Sequence, residues 1–394
     1  MHNRSKVNLK LVSLILLVTL SPLGIDLHLP ALIILKNYFS IDDHDAQLSI
    51  LVFIFSMGVG QLLFGIIVTK AGKKVTGYIG ILLFIVSALG ILYVENYTIL
   101  LIFRVLQGLG ASAASVISYA TINENYKGDE AAKLFSIQSG CLNIIPAVAP
   151  MMGAVLLVLW DWQAIFVCFI VYAFIVLIIF HKEYKFDDYD CQYKLSHAVS
   201  WVIKDKQFLI YALVCVLLLG YIVTYLNIAP IILMDEFGLT PLQFSILFSI
   251  NAAVISAVSF FISRLIAVLG AFRCVIIGLL LMMLSSLCLW FTYAITGYLL
   301  FYLLILVGSI GFAFSFGSAI GFALSKHQHH SGLASGLLGF VYLSLAPVIT
   351  FFSLHNANHS LESFGRAFAI MTLCMLGILL INFYKSQRNK KVNT

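Results

Sequence analysis

Long apolar runs separated by short polar links dominate this chain, and they lack the strict alternation of a half-buried strand. A helix needs about 20 apolar residues to cross the hydrocarbon core of a bilayer, and backbone groups in lipid must pair within the segment. We therefore predict an all-α membrane protein. Its twelve transmembrane helices are expected at residues 11–34, 47–69, 75–94, 98–121, 133–158, 163–181, 207–232, 242–263, 272–294, 297–324, 333–354 and 364–384.

The composition supports a lipid environment. Apolar residues make up 61% of the chain and charged residues 10%, whereas a soluble domain carries about 25% charged residues. A net charge of +6 would suggest nucleic acid in a soluble protein, but here membrane topology accounts for it, so we expect no nucleic-acid partner. The seven cysteines are scattered, and most fall in apolar runs as small hydrophobic side chains.

The lysines and arginines predict the orientation. With a cytoplasmic N-terminus, all 23 of them face the cytoplasm except Lys36 and Arg366 outside and Arg104 within a helix. Positive loops stay on the cytoplasmic side, so the bias also supports an even number of spans. We expect a multi-pass protein of the cell inner (cytoplasmic) membrane with both termini in the cytoplasm.

The two halves of the sequence resemble each other. A charged stretch at 182–206 divides the predicted helices six and six. Matching positions in the two halves are Pro30 and Pro230, Phe39 and Phe237, and the segments Gln47–Leu51 and Gln243–Leu247. We predict six-helix bundles at 1–181 and 207–394 joined by a cytoplasmic linker, the parallel repeat of the major facilitator superfamily. The alternative is that apolar helices look alike by composition.

Asp26 and Arg104 are the charged residues placed well inside the predicted spans. Intramembrane charges are costly and usually pair or line a water-filled path. At 1.5 Å per residue, Asp26 lies about 12 Å before the outer end of the first helix, and Arg104 lies about 9 Å after the outer end of the fourth. The two residues are therefore at similar depth and could pair directly or through water. We expect Asp26 to bind and release a proton, with Arg104 as a fixed counter-charge. The alternative is a static pair that fixes helix packing.

Polar side chains inside other spans are candidates for substrate binding. They are Tyr119, Gln138, Asn143, Asn227 and Asn251. Tyr119 continues a small or polar stripe that begins at Arg104, a pattern typical of either an aqueous path or close helix packing. Each lone amide has the alternative of a hydrogen bond between helices. For His28 a packing role is favoured over a proton relay, because it points about 200° around the helix from Asp26.

No motif for catalysis or nucleotide hydrolysis is present in the sequence, which contains no phosphate-cradling glycine loop followed by Lys and Ser or Thr. The tract Lys326–His330 contains three histidines but no supporting cysteine or carboxylate, so we interpret it as a solvated loop. We expect no enzyme activity, metal or cofactor, and a transport reaction driven by a gradient.

Several motifs resemble the drug:proton antiporters of the major facilitator superfamily, most of all the bicyclomycin-resistance (Bcr/CflA) branch. They are Asp26–Ala31, Arg104–Ser112 with Ser118–Asn123, Pro146–Gly153, Phe237–Phe248 and Gly332–Gly339. The resemblance covers most of the chain. It implies that the protein exports a small drug-like compound in exchange for protons, as transporters in multidrug resistance do. It also implies that the protein acts as a monomer, that Asp26 is the proton- and substrate-linked carboxylate and that Arg104 is the arginine of the fourth helix.

One loop departs from that family pattern. The segment Gly65–Lys74 has Thr69 where the family has an aspartate that is thought to latch the outward-open state. The departure puts gating in doubt and leaves open a dedicated exporter of one metabolite, such as a siderophore, peptide or amino acid. A non-transporting membrane sensor or scaffold is the alternative of another class.

Overall fold

The computed structural model describes residues 2–125, 129–183, 202–292, 297–326, 331–355 and 361–392, and no strand occurs in these ranges. Its helices are α1 (His2–Asp26), a 3₁₀ turn (Leu29–Ala31), α2 (Leu32–Phe39), α3 (Asp43–Ile91), α4 (Tyr97–Asn125), α5 (Asp129–Leu159), α6 (Gln163–Glu183), α7 (Lys206–Pro230), a π-helical extension (Ile231–Glu236), α8 (Pro241–Leu269), α9 (Ala271–Thr292), α10 (Tyr298–Leu324), α11 (Ser331–His355) and α12 (Leu361–Val392).

Within these ranges, eleven helical segments are long and apolar enough to cross a membrane. Helix α3 supplies two of them, because its backbone turns at Gly72, where φ is 77°. The twelfth predicted span, 133–158, lies on α5, and Ile144–Leu159 is the apolar part of that helix whose side chains the structure describes. The predicted all-α membrane fold is therefore confirmed. Most of the predicted linker 182–206 and of the histidine tract lies outside the described residues.

The halves repeat the same backbone irregularities at matching places. The first predicted span breaks after Asp26 into a 3₁₀ turn, and α7 passes into a π-helix after Pro230. Left-handed residues follow each of these segments, Ser40 at φ 51° and Gly238 at φ 70°. Positive φ values also occur at Gly72 and Gly270, between the second and third spans of each half. These matches are independent of composition and support the internal repeat.

Two helix pairs form the most extensive contacts between the halves in the described residues: α3 with α11, and α5 with α8. Gly58 allows the first contact, because a Cβ atom there would lie 2.6 Å from the backbone nitrogen of Ser344. The polar side chain of Gln61 similarly occupies the space beside Gly339. We call the end of the bundle where α2 terminates the Lys36 end, and the opposite end the Gly72 end.

Candidate functional site

A break in the first span creates the centre of the candidate site. Helix α1 ends at Asp26, and the amide of His28 bonds to the carbonyl of Ile25 at 3.2 Å instead of continuing the α-helical pattern. The carbonyl oxygen of Gly24 therefore loses its helical partner. Pro30, in the following 3₁₀ turn, has no amide donor and so favours this irregular backbone.

The guanidinium of Arg104 fills the space beside the break, and its side chain is fully buried. It donates to the freed carbonyl of Gly24 at 2.9 Å and to the carbonyl of Ser49 at 3.1 Å. A third bond, 2.5 Å long, goes to the Oε1 atom of Gln107. The ring of Phe53 lies 4.4 Å from the guanidinium carbon in a cation–π contact. Arg104 thus ties α1, α3 and α4 together through carbonyl dipoles.

Asp26 does not pair with Arg104 in this structure. The side chain of Asp26 is buried, with 5% exposure, and among the described residues it has neither a hydrogen bond nor an ion pair. The geometry explains the separation: residues two apart on a helix differ by about 200°, so Asp26 and Gly24 point in opposite directions. The Cβ position of Gly24 meets the ring of Phe53, which lies against the guanidinium of Arg104, so Asp26 faces away from the guanidinium.

His28 belongs to the Arg104 side of the break and is fully buried. Its Nε2 atom lies 3.1 Å from the hydroxyl oxygen of Ser49, which itself donates to the carbonyl of Ala46. Nε2 is then the donor toward Ser49, and Nδ1 is an acceptor without a partner in the described chain. An edge contact with Phe166 at 5.6 Å completes its surroundings. These contacts favour the packing role over a proton relay.

Replacing Arg104 with lysine should destabilise the protein although it keeps the positive charge. A lysine ammonium cannot reach the carbonyls of Gly24 and Ser49 together with Gln107 in the fixed fork of a guanidinium. Loss of two bonds to a charged donor should lower the free energy of unfolding by about 3 kcal/mol. Thermal unfolding in detergent measures the effect, and R273K, at an exposed arginine, is the control. An unchanged midpoint in R104K would contradict this account.

Asn227 lies at the seam between the halves. Its side-chain amide donates to the carbonyl of Val223 at 2.8 Å, one turn earlier on α7. Its backbone carbonyl accepts from Nε2 of Gln47 on α3 at 3.4 Å. The amide oxygens of both side chains are buried and have no partner in the described part of the chain. Two acceptors are therefore available for a donor group at this seam.

Asn251 on α8 belongs to a second polar cluster, in the C-terminal half. It lies beside the hydroxyl of Tyr225, whose ring stacks on Phe248 with centroids 5.8 Å apart. The Oδ1 atom of Asn251 and the hydroxyl of Tyr302 are buried without a partner among the described residues. Of the other predicted substrate residues, Tyr119 lies on α4, and Gln138 and Asn143 lie on α5, but their side chains fall outside what the structure describes.

An ionic bridge closes the seam at the Lys36 end. The ammonium of Lys36 lies 2.8 Å from Asp43 on its own half and 2.6 Å from Asp235 on the other half. The rings of His44 and His355 approach across the same seam, with centroids 5.2 Å apart. In this conformation the halves are joined at the Lys36 end.

The roles of several of these residues were not predicted from the sequence. Gln47 and Ser49 were noticed as part of the internal repeat, but their chemistry was not. The sequence did contain a signal: polar residues are costly inside apolar helices, so polar residues at matching positions of both halves indicate a structural or functional role. The two copies differ in role: Gln47 reaches across the seam, whereas Gln243 caps α8 through Thr240. The pairing of Lys36 with Asp235 spans two distant segments, and nothing in the sequence indicated it.

Comparison with known proteins now places the chain. The sequence profile of the Major Facilitator Superfamily matches residues 14–351. The chain belongs to the major facilitator superfamily. It is therefore a multi-pass membrane transporter, and its fold is the predicted one.

Individual members of the superfamily align over most of the chain. An uncharacterized MFS-type transporter, YdgK of Bacillus subtilis, is 29% identical over 89% of this chain and 90% of its own length. A chloramphenicol resistance protein of Pseudomonas aeruginosa is 26% identical over 94% of this chain and 90% of its own length. The multidrug resistance protein MdtL of Klebsiella pneumoniae is 25% identical over 82% of each chain.

A solved structure of the superfamily supports the fold independently. The crystal structure of a D-xylose–proton symporter aligns with a TM-score of 0.75, covering 93% of this chain and 96% of that one. The sequences are only 15% identical, so this similarity concerns the fold alone.

Proposed function

We propose that this transporter exports a small drug-like or amphipathic compound in exchange for protons, by alternating access. The observation that carries the proposal is the buried carboxyl group of Asp26 at the helix break, which has no partner among the residues that the structure describes. A carboxylate without a partner in a low-dielectric interior is costly, so binding a proton relieves the cost. Rocking of the halves would change its surroundings and release the proton on the other side.

Drug export is favoured by the relatives that are named for chloramphenicol and multidrug resistance. We place the chain in the Bcr/CflA branch on its motifs, and we assign bundles 1–181 and 207–394 joined by the linker 182–206. The distribution of lysine and arginine supports both termini in the cytoplasm of a cell whose inner membrane holds the protein, so the Lys36 end faces outward. A monomer is the proposed functional unit.

In this proposal Arg104 stabilises the helix break by hydrogen bonds on one side of the first span, and Asp26 binds and releases the proton on the other side. The fixed charge of Arg104 is stabilised by hydrogen bonds to two backbone carbonyls and Gln107, so the guanidinium has acceptors without pairing with the Asp26 carboxylate. Arg104 is then a positioning residue, and Asp26 is the proton carrier. Tyr119, Gln138, Asn143, Asn227 and Asn251 are the proposed substrate contacts.

Transport in everted vesicles tests the proposal. Vesicles from an overexpressing strain, with their lumen acidified, are expected to accumulate radiolabelled chloramphenicol or ethidium in the lumen. Collapse of the pH difference should release it. Vesicles without the protein are the control. No uptake of either probe, together with accumulation of one endogenous compound in a deletion strain, would favour the dedicated exporter instead. That second candidate is supported by Thr69, which replaces the aspartate of the family's gating loop.

Replacing Asn251 with leucine should weaken substrate binding more than it weakens the fold. Its Oδ1 atom makes no hydrogen bond in the described chain, so the loss of stability is limited to the contact of its amide with the Tyr225 hydroxyl. Loss of one substrate hydrogen bond should raise the half-saturating concentration about tenfold, which corresponds to about 1.4 kcal/mol. Uptake at varied probe concentration measures this. T372V removes a buried hydroxyl that bonds only within its own helix, and this control variant should leave uptake unchanged. Equal effects of both variants would count against a substrate role.

A further inference from the structure

Arg366 is a cation at the Lys36 end that the transport mechanism does not use. It lies on α12 and is exposed, and it has no hydrogen bond or ion pair with any described residue. Glu362, one turn earlier, is not within ion-pair distance. The other cation predicted at this end, Lys36, is held by two aspartates. Arg366 therefore has its full charge available for a partner outside the protein.

A groove of about 470 Å³ runs inward from Arg366 between α11 and α12, and α7 forms its floor through Leu217. Ser353, Ser363 and Arg366 contribute its polar groups, all in the part of the groove nearest the Lys36 end. The deeper walls are apolar and include Leu217, Met371 and Cys374. Polarity thus falls with depth into the membrane, as it does along a phospholipid.

Helix α7 holds the two walls of the groove apart. On the α11 side, Thr224 donates to Thr350 at 3.1 Å, and Thr350 donates to the carbonyl of Gly220 at 3.2 Å. On the α12 side, the ring of Tyr221 packs on Phe368 with centroids 4.2 Å apart. Both walls are anchored on the same turns of α7, so the groove is built into the fold.

The length of the groove fits one leaflet. Ser363 and Cys374 are eleven residues apart in the numbering of α12, which is about 16 Å at 1.5 Å per residue. Half of a hydrocarbon core of about 30 Å is about 15 Å. The guanidinium of Arg366, about 7 Å from the start of α12, can extend to the headgroup level. We propose that the groove binds one anionic phospholipid, with its phosphate on Arg366 and an acyl chain along α12.

Native mass spectrometry of the purified full chain tests this site. The protein is mixed with phosphatidylglycerol or phosphatidylcholine of identical acyl chains. Both lipids offer a phosphate to Arg366, but the choline ammonium cancels the net charge of phosphatidylcholine and is repelled by the guanidinium. The wild type is therefore expected to retain one phosphatidylglycerol about tenfold better than phosphatidylcholine. R366Q should lose that preference. R273Q removes an exposed arginine from the Gly72 end and should keep it.

A second variant separates the groove from the charge. A367F places a phenyl ring in the groove while leaving Arg366 in place, and it should also lose the bound lipid. Three results would overturn the proposal: no lipid preference in the wild type, the same preference in R366Q, or lipid binding unchanged in A367F. The last result would mean that the headgroup is attracted without an acyl chain in the groove. Because Arg366 is exposed, R366Q should fold, so its result is decisive on its own.

Discussion

Vesicles that carry Asp26→Asn are expected to show no uptake driven by a pH difference, while exchange of substrate across the membrane continues. Asparagine keeps the size and burial of the side chain but cannot bind or release a proton. The transporter would then cycle only with substrate bound. Uptake of chloramphenicol or ethidium should fall to the level of vesicles without the protein. Exchange of labelled for unlabelled probe at equal pH should continue.

The two assays together separate proton coupling from folding. A variant that is misfolded loses both activities, whereas D26N should lose only the one that needs a proton. E95Q removes an exposed carboxylate from the loop between α3 and α4, at the same end of the bundle, and should leave both assays unchanged. Full uptake driven by a pH difference in D26N would remove Asp26 from the mechanism. Some other group would then have to carry the proton.

The sequence predicted the helices well because lipid leaves few alternatives. An apolar run of about 20 residues in a bilayer must be a helix. Hydropathy gives the position of each helix, and the charges of the loops give the side of the membrane on which they lie. The break after Asp26 was not predicted, because Pro30 tolerates several backbone paths. That break decides the site, since it frees the carbonyl of Gly24 for Arg104 and turns Asp26 the other way.

The relation between the two charges shows where reasoning from the sequence stops. Depth along each helix correctly suggested that Asp26 and Arg104 lie at similar levels. Contact, however, depends on the rotation of each helix about its axis, which is set by packing against neighbours. Arg104 finds three oxygen acceptors on α1, α3 and α4 instead of a carboxylate. The sequence therefore shows which charged residues lie inside the membrane spans but not which of them are in contact.

Replacing Lys36 with glutamine is expected to open the Lys36 end of the transporter. The ammonium now holds Asp43 and Asp235 across the seam, with distances of 2.8 and 2.6 Å. Without it these carboxylates, and Glu236 next to them, repel each other. A partly exposed ion pair contributes about 1 kcal/mol, so its loss should change the ratio of the two conformations about fivefold. The shift should favour the conformation that is open at this end.

Spin labels report this opening directly. With the seven native cysteines replaced, labels are placed at Asn37 on α2 and Leu242 on α8, both exposed at the Lys36 end. The population at the longer distance should grow in K36Q. D43N removes only the carboxylate within the same half and should have a smaller effect, because the bridge to Asp235 remains. The exchange K36D/D235K should restore the short distance.

The same measurement bears on the loop that departs from the family pattern. If Thr69 leaves the Gly72 end without an aspartate latch, the conformational balance depends more heavily on contacts at the Lys36 end. Restoring the carboxylate with T69D should then favour the conformation open at the Lys36 end, in the same direction as K36Q. The two changes act at opposite ends of the bundle, so their effects should add. If the distance distribution of K36Q were the same as that of the wild type, the bridge would accompany closure of this end without stabilising it.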